Sequence, residues 1–284
     1  MRRTAILAVL LLFACHEKVD EHADHTAPTT TTTTAAETTA GTTASTTSTP
    51  PAPSAGTSEK FGDGASGYLA LPASGPAKKP AIIVIQEWWG VDDWIRQQAD
   101  RFAQQGYVAL AVDLYRGKST KSPEEAHELM RGLPPSRGVA DLKAAVDYLS
   151  SRADVDPQRI GVIGWCMGGG YALSLATSDP RPKATVINYG HLETDSTAIT
   201  KIQSQILGNF GAADRGIPAA DVKKFGAELT KYGKLADIKV YDGAGHAFMN
   251  PNNKEGYNAA AANDAWGRID RFFDRNLRAN MPNS

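Results

Sequence analysis

The sequence predicts an α/β domain with a mostly parallel central sheet and helices on both faces. Three observations carry that expectation. Short apolar runs alternate with amphipathic helical stretches through most of the chain. The runs, such as Ile82-Ile83-Val84-Ile85, are apolar at every position, as in strands buried on both faces. Finally, Ile160-Gly161-Val162-Ile163 stops at Gly164-Trp165-Cys166-Met167-Gly168-Gly169 and restarts as the helical stretch Gly170 to Leu175. That is a sharp strand–turn–helix junction, with Gly164 and Gly168 leaving room where side chains would clash.

The elements follow in order. Ile82 to Ile85 reads as the first core strand, and the amphipathic segment from Asp92 to Gln105 as the helix after it. Tyr107 to Val112 is the next strand, and two helices then cover Pro123 to Arg131 and Arg137 to Ser151. The junction strand and its helix come next. Lys183 to Asn188 and Ser204 to Leu207 are strands, Pro218 to Lys231 a helix, Asp237 to Tyr241 a strand, and Ala261 to Leu277 the closing helix. No large insertion breaks the crossovers, so the mouth at the carboxyl edge of the sheet is expected to be open.

Ahead of this domain the composition changes. Met1-Arg2-Arg3 followed by the apolar run Ala5 to Ala14 reads as an export signal, too short to span a bilayer. It ends at Leu12-Phe13-Ala14-Cys15, which resembles a bacterial lipobox, in which Cys15 would be lipidated and become the mature N-terminus. Phe13 is an uncommon occupant there, which leaves a soluble secreted form as the alternative. Acyl chains on Cys15 would tether the protein to a membrane surface. The expected location is therefore the bacterial cell envelope, lipid-anchored and facing the periplasm or the surface. Within residues 16–58, the stretch from about Thr26 to Ser58 is nearly all Thr, Ala, Ser and Pro, which bury too little apolar surface to offset ordering entropy. They read as a flexible linker, and residues 59–284 as one domain of ordinary size.

The 284 residues carry a formal net charge of −1, which argues against nucleic acid as a partner. Two cysteines are too few for a disulfide framework, and lipidation or removal of Cys15 leaves Cys166 without a partner. No Gly-x-Gly-x-x-Gly, Walker motif or Cys/His metal spacing is present, so no nucleotide, flavin or metal is expected, and a monomer suffices.

The junction is where chemistry is expected. A lone Cys among apolar residues is ordinarily a small buried hydrophobe, and a Gly-rich strand–helix junction also serves as a phosphate cradle. The strand–turn–helix context favours a nucleophile on an exposed tip, a position usually held by Ser. A nucleophilic thiol needs a base, and the base needs an orienting group. Asp214 lies in Gly208-Asn209-Phe210-Gly211-Ala212-Ala213-Asp214, and His246 in Gly243-Ala244-Gly245-His246-Ala247-Phe248. Each follows a strand, and such loops gather at the carboxyl edge of a parallel sheet. Taken singly, the Asp is turn chemistry and the His a loop residue. Together they complete the order nucleophile, acid, base. His16, His22 and His25 lie in the N-terminal tail and His127 in a charged helix, whose default is a solvated face. His191, just after a strand, is the one rival base.

At this point the chain resembles the dienelactone hydrolase family of the α/β-hydrolase superfamily. The matching words are Gln86-Glu87-Trp88-Trp89-Gly90, Ala111-Val112-Asp113-Leu114-Tyr115-Arg116-Gly117, the Cys166 junction, Asn188-Tyr189-Gly190, Asp214-Arg215-Gly216-Ile217-Pro218 and Gly245-His246-Ala247-Phe248. The resemblance runs from about Phe61 to Leu277. The resemblance implies the α/β-hydrolase fold, ester hydrolysis, a Cys166–Asp214–His246 triad, and a Glu87 carboxylate that contacts the resting thiol until substrate displaces it. It also implies two Arg side chains that grip a substrate carboxylate. Arg116 stands near the first position, with Lys118 close by, but the second, four residues after His246, is Asn250. An Asn does not replace the charge of a bidentate Arg, so dienelactone itself does not carry over as the substrate.

A free thiol has a pKa of about 8.5, so attack on an ester needs His246 to take the proton, with Asp214 fixing the imidazole. A carboxylate such as Glu87 beside the thiol opposes a second negative charge. Backbone N–H groups of Met167 and Trp88 are the expected oxyanion donors. The Met167 amide also sits at a helix N-terminus, where the dipole favours negative charge. Trp88, Trp89, Tyr115, Tyr189 and Phe248 are candidates to wall the cleft, with ordinary core packing as the alternative. The open mouth suits small esters or lactones as the small-molecule substrate. A non-catalytic surface lipoprotein that binds a small carbonyl compound is the alternative from another class. A thiol peptidase is disfavoured because no extended groove is implied.

Overall fold

The computed structural model describes residues 56–278, so the export signal, the lipidation site Cys15 and nearly all of the linker lie outside the described residues. An eight-stranded sheet, in the order β1-β2-β4-β3-β5-β6-β7-β8, forms the centre. The strands are β1 (Thr57–Phe61), β2 (Ala65–Ala70), β3 (Lys79–Ile85), β4 (Val108–Val112), β5 (Val155–Trp165), β6 (Ala184–Asn188), β7 (Gln205–Gly211) and β8 (Ala236–Tyr241). The six strands β3 to β8 are parallel; β1 and β2 form an antiparallel hairpin on one edge.

Every parallel strand near the centre is buried on both faces, with period two. Ile82 and Val84 of β3 face one apolar layer, and Ala81, Ile83 and Ile85 face the other. The first layer is covered by α1 (Asp93–Gln104) and α7 (Ala259–Phe273), which meet through Phe102 and Trp266. The second is covered by α3 (Pro135–Ser151), α4 (Met167–Ala176) and α6 (Ala219–Lys231). The short helices α2 (Pro123–Arg131) and α5 (Ser196–Ile199) ride on loops. Local chemistry fixes the ends. Asp92 caps α1 by accepting from the Ile95 N–H at 3.0 Å, and Ser122 caps α2 ahead of Pro123.

Connections from β3 run toward β4, whereas those from β5 run toward β6. The crevice between the ends of β3 and β5 is thus the switch point of the sheet, where open α/β sheets bind ligands. Glu87 follows β3 and Cys166 follows β5, so both stand at this crevice.

Two sequence expectations need correction, and one element is new. The folded domain begins at Thr57, two residues inside the expected linker, because β1 pairs with β2 from Thr57↔Leu69 to Phe61↔Ala65. That hairpin turns on Gly62 and Gly64, both at positive φ. Helix α7 ends at Phe273 rather than Leu277, and a π-helical turn, Asp274–Arg278, replaces its last residues. There the Arg278 guanidinium stacks on Tyr107 and binds the Gln105 carbonyl. Helix α5, capped by Asp195, was not expected at all.

Candidate active site

Cys166 stands between β5 and α4 at φ 55°, ψ −120°. A non-glycine residue at positive φ costs on the order of 1–3 kcal/mol and persists only where its surroundings over-determine it. Here the Cys166 N–H donates to the Asn188 carbonyl at 3.0 Å, and the Cys166 carbonyl accepts from Gly169 at 3.0 Å. Glycines make the turn possible: a methyl group on Gly168 would strike the Ile85 and Gln86 carbonyl oxygens, and one on Gly164 would strike the Gly168 backbone. The Met167 N–H lies in the first turn of α4, where no intrahelical acceptor exists and the helix dipole favours negative charge.

The structure brings three sequence-selected residues into one chain of contacts. His246 Nε2 lies 3.1 Å from Cys166 Sγ, and His246 Nδ1 lies 2.7 Å from Asp214 Oδ2. Asp214 divides its two oxygens: Oδ1 accepts from the Gly216 and Ile217 amides at 2.9 and 3.1 Å, which leaves Oδ2 aimed at the imidazole. Burial opposes ionisation of Asp214, but the His246 bond and charge and the two amides outweigh it and hold the carboxyl below its ordinary range. Burial alone would lower the pKa of His246. The neighbouring Cys166 charge and the bonds to Asp214 and Cys166 win, and the imidazole is held well above its usual value. The environment therefore favours the protonated imidazole. The rival base, His191, is an exposed residue just after β6.

Glu87 makes hydrogen bonds other than the thiol contact that the family resemblance implies. Its buried carboxylate accepts from the Asn250 side chain at 2.7 Å and from the Tyr189 hydroxyl at 3.3 Å, while the thiol is engaged by His246. Burial raises its pKa to about 7, against the opposing pull of the Asn250 bond and the His246 charge. Asn250, 3% exposed, is the residue that sequence reasoning missed: it was noted only as a lost charge, yet it holds Glu87. A raised carboxyl pKa has a definite stability sign. Between pH 5 and pH 7 the native protein keeps the Glu87 proton that the unfolded chain has released, so stability falls as pH rises through this window. Glu87→Gln is expected to flatten that fall by up to about 3 kcal/mol. Urea unfolding at pH 5 and pH 8 measures it, and equal slopes in both proteins would refute the assignment.

The remaining expected residues divide. Trp88 and Trp89 are half-buried, with ring centroids 4.8 Å apart, on a loop held by a Gly90↔Ser119 bridge and by Thr120 N–H donating to the Trp89 carbonyl at 2.9 Å. His127 does not face solvent alone; its ring meets Trp88 edge-on at 5.9 Å. Tyr115 is nearly buried and donates to Met167 Sδ at 3.2 Å. Tyr189 and Phe248 are fully buried, so they pack beneath the site rather than wall it: Tyr189 lies edge-on to His246 at 5.3 Å, and Phe248 lies between Tyr189 and Tyr241. Arg116 is not in the cleft. At φ 57° its side chain turns back to Asp141, 2.7 Å away, and to the Asp63 carbonyl at 3.1 Å. A guanidinium engaged in this way does not grip a substrate carboxylate in the cleft.

Known proteins resemble the chain in sequence and fold. The model of the dienelactone hydrolase family matches residues 65–277. A protein of Methylorubrum extorquens, named "putative carboxymethylenebutenolidase", is 34% identical over 220 residues, covering 72% of this chain and 75% of its own length. Protein usf of Aquifex pyrophilus is 34% identical over 226 residues, covering 77% of this chain and 96% of its own. The crystal structure of a candidate dienelactone hydrolase from Klebsiella pneumoniae superposes with a TM-score of 0.68 at 30% identity, over 74% of this chain and 93% of the other. A dienelactone hydrolase-like promiscuous phosphotriesterase from metagenomic libraries shares the fold, with a TM-score of 0.73 at 22% identity over 80% of this chain and 100% of the other.

Proposed function

Because the chain belongs to the dienelactone hydrolase family, with its α/β-hydrolase fold, we propose that it hydrolyses small carboxylic esters or lactones through a Cys166–His246–Asp214 triad and a thioester acyl-enzyme. The observation that supports this most is the unbroken series Cys166 Sγ, His246 and Asp214 at 3.1 and 2.7 Å. The thiolate attacks the carbonyl carbon, and the oxygen that gains charge is met by the N–H groups of Met167 and Trp88. Collapse breaks the bond to the alkoxy oxygen, which takes the proton from His246 Nε2 and leaves as an alcohol. In a lactone it stays tethered to the acyl group. Water, deprotonated by His246, then attacks the thioester, and the thiolate leaves. Asp214 holds the imidazole throughout and faces the imidazolium charge.

With Arg116 paired to Asp141 and Asn250 bound to Glu87, uncharged esters and lactones suit the site better than dicarboxylates. A panel of p-nitrophenyl esters and small lactones tests the proposal, with iodoacetamide alkylation beside it. Turnover together with rapid alkylation that slows in His246→Ala is the expected result. Slow alkylation in both proteins, without turnover, would favour a binding protein on the same fold.

Export and anchoring are proposed on the N-terminal sequence alone. Cys15 at the end of the apolar run is assigned as the lipidated residue, which places the catalytic domain on a membrane surface behind a Thr-rich linker. Cys15→Ala is expected to move the protein from the membrane to the soluble fraction and abolish labelling by radioactive palmitate. Unchanged membrane association and labelling would contradict it.

A further inference from the structure

A buried polar rung runs beneath the nucleophile turn, and the chemistry above makes no use of it. Asn188 at the end of β6 and Asn209 in β7 are paired in register, and both are fully buried. Asn209 Nδ2 donates to Asn188 Oδ1 at 2.8 Å, and Asn188 Nδ2 donates to the Gly164 carbonyl at 3.2 Å. On the far side, Asn209 Oδ1 accepts from Arg268 Nη1 at 2.6 Å. Arg268, on α7, also binds the Asp237 side chain at 2.6 Å, and Tyr241 donates to Asp264 at 2.8 Å. The rung therefore crosses β5, β6, β7 and β8 and is anchored on a helix.

Amides are an expensive choice in this place. Strands buried on both faces are ordinarily filled with aliphatic side chains, and buried amides are tolerated only when hydrogen-bonded. What the amides add is restraint at one point. Asn188 grips the end of β5 twice: its carbonyl accepts from the Cys166 N–H at 3.0 Å, and its side chain holds the Gly164 carbonyl. These two contacts bracket Trp165, at the entry to the positive-φ turn. The Asn209 carbonyl likewise accepts from the Tyr189 N–H at 2.8 Å, and Tyr189 packs on His246 and holds Glu87.

We infer that Asn188 and Asn209, anchored by Arg268, are positioning residues that fix the Cys166 thiol relative to His246. The inference rests on the reading of Cys166 as the nucleophile. It is tested in the full-length chain with Asn188→Asp and Arg268→Gln. Asn188→Asp keeps the oxygen that accepts from Asn209 but sets a second oxygen against the Gly164 carbonyl. The readouts are kcat and KM on a p-nitrophenyl ester, the rate of Cys166 alkylation by iodoacetamide, and the thermal midpoint.

In Asn188→Asp, kcat is expected to fall about 10- to 100-fold with KM within about twofold, and alkylation to slow with it. Arg268→Gln, acting from the outer end, is expected to lower kcat a few-fold in the same pattern. A lower thermal midpoint with unchanged kcat and alkylation would reduce the rung to structural support and overturn the inference. If Asn188→Asp does not fold, Arg268→Gln decides by the same criteria. Cys166→Ala, assayed alongside, separates the two readings. Full turnover in it sinks the nucleophile and the rung together, whereas an inactive Cys166→Ala beside wild-type-like rung variants sinks the rung alone.

Discussion

Cys166→Ala is expected to lower ester turnover by about 10⁴-fold or more while the protein stays folded. The sulfur is the atom that forms the bond to the acyl carbon, and no other group on the His246 imidazole replaces it. What survives is binding and the backbone oxyanion donors, which alone give a small residual rate. The fold is expected to persist because the half-buried side chain contributes little packing, and the turn is held by backbone contacts to Asn188 and Gly169. Parallel hydrolysis assays and circular dichroism check both halves. Turnover in the alanine variant within tenfold of wild type would remove the proposed nucleophile.

The second large effect is expected from Asp214→Asn. The asparagine keeps an oxygen for the Gly216 and Ile217 amides, so the loop is preserved. Its amide nitrogen, however, replaces the oxygen that faces His246 Nδ1 at 2.7 Å. An N–H there forces Nδ1 to accept, which puts the ring proton on Nε2, where it can no longer take a proton from sulfur. A loss of about 10³- to 10⁴-fold in kcat with little change in KM is expected. Alkylation of Cys166 is expected to slow as well, because the imidazolium partner of the thiolate is lost. A variant with near-wild-type kcat would show that Asp214 does not orient the base.

How much of this was legible in the sequence depends on how local each signal was. The turn at Cys166 was readable because its glycines are demanded by backbone contacts that any occupant of that position must satisfy. Asp214 and His246 were readable from their order and their places after strands, since the parallel sheet brings such loops together whatever their separation. The β1–β2 hairpin was not, because β1 is a largely polar edge strand whose side chains carry no buried pattern. Arg116 was misplaced because its number in the chain says nothing about which way a residue at positive φ sends its side chain; Asp141 decided that. Tyr189 and Phe248 look like wall residues in the sequence, yet they are core residues in the fold, since Tyr189 packs under His246 and Phe248 packs on Tyr189. Asn250 and the Asn188–Asn209 pair were hidden for a related reason. Their partners, Glu87, Gly164 and Arg268, are distant in sequence, and only the assembled sheet edge shows what their amides bind.

The most direct test of the thioester mechanism is to trap the acyl-enzyme. Protein mixed with p-nitrophenyl acetate and quenched in acid within the first turnover would be digested and examined by mass spectrometry. One acetyl group on the peptide carrying Cys166, absent in Cys166→Ala and accumulated in a variant slow in deacylation, is the predicted result. Ester hydrolysis with no acyl group on that peptide, or with the label on another residue, would contradict it.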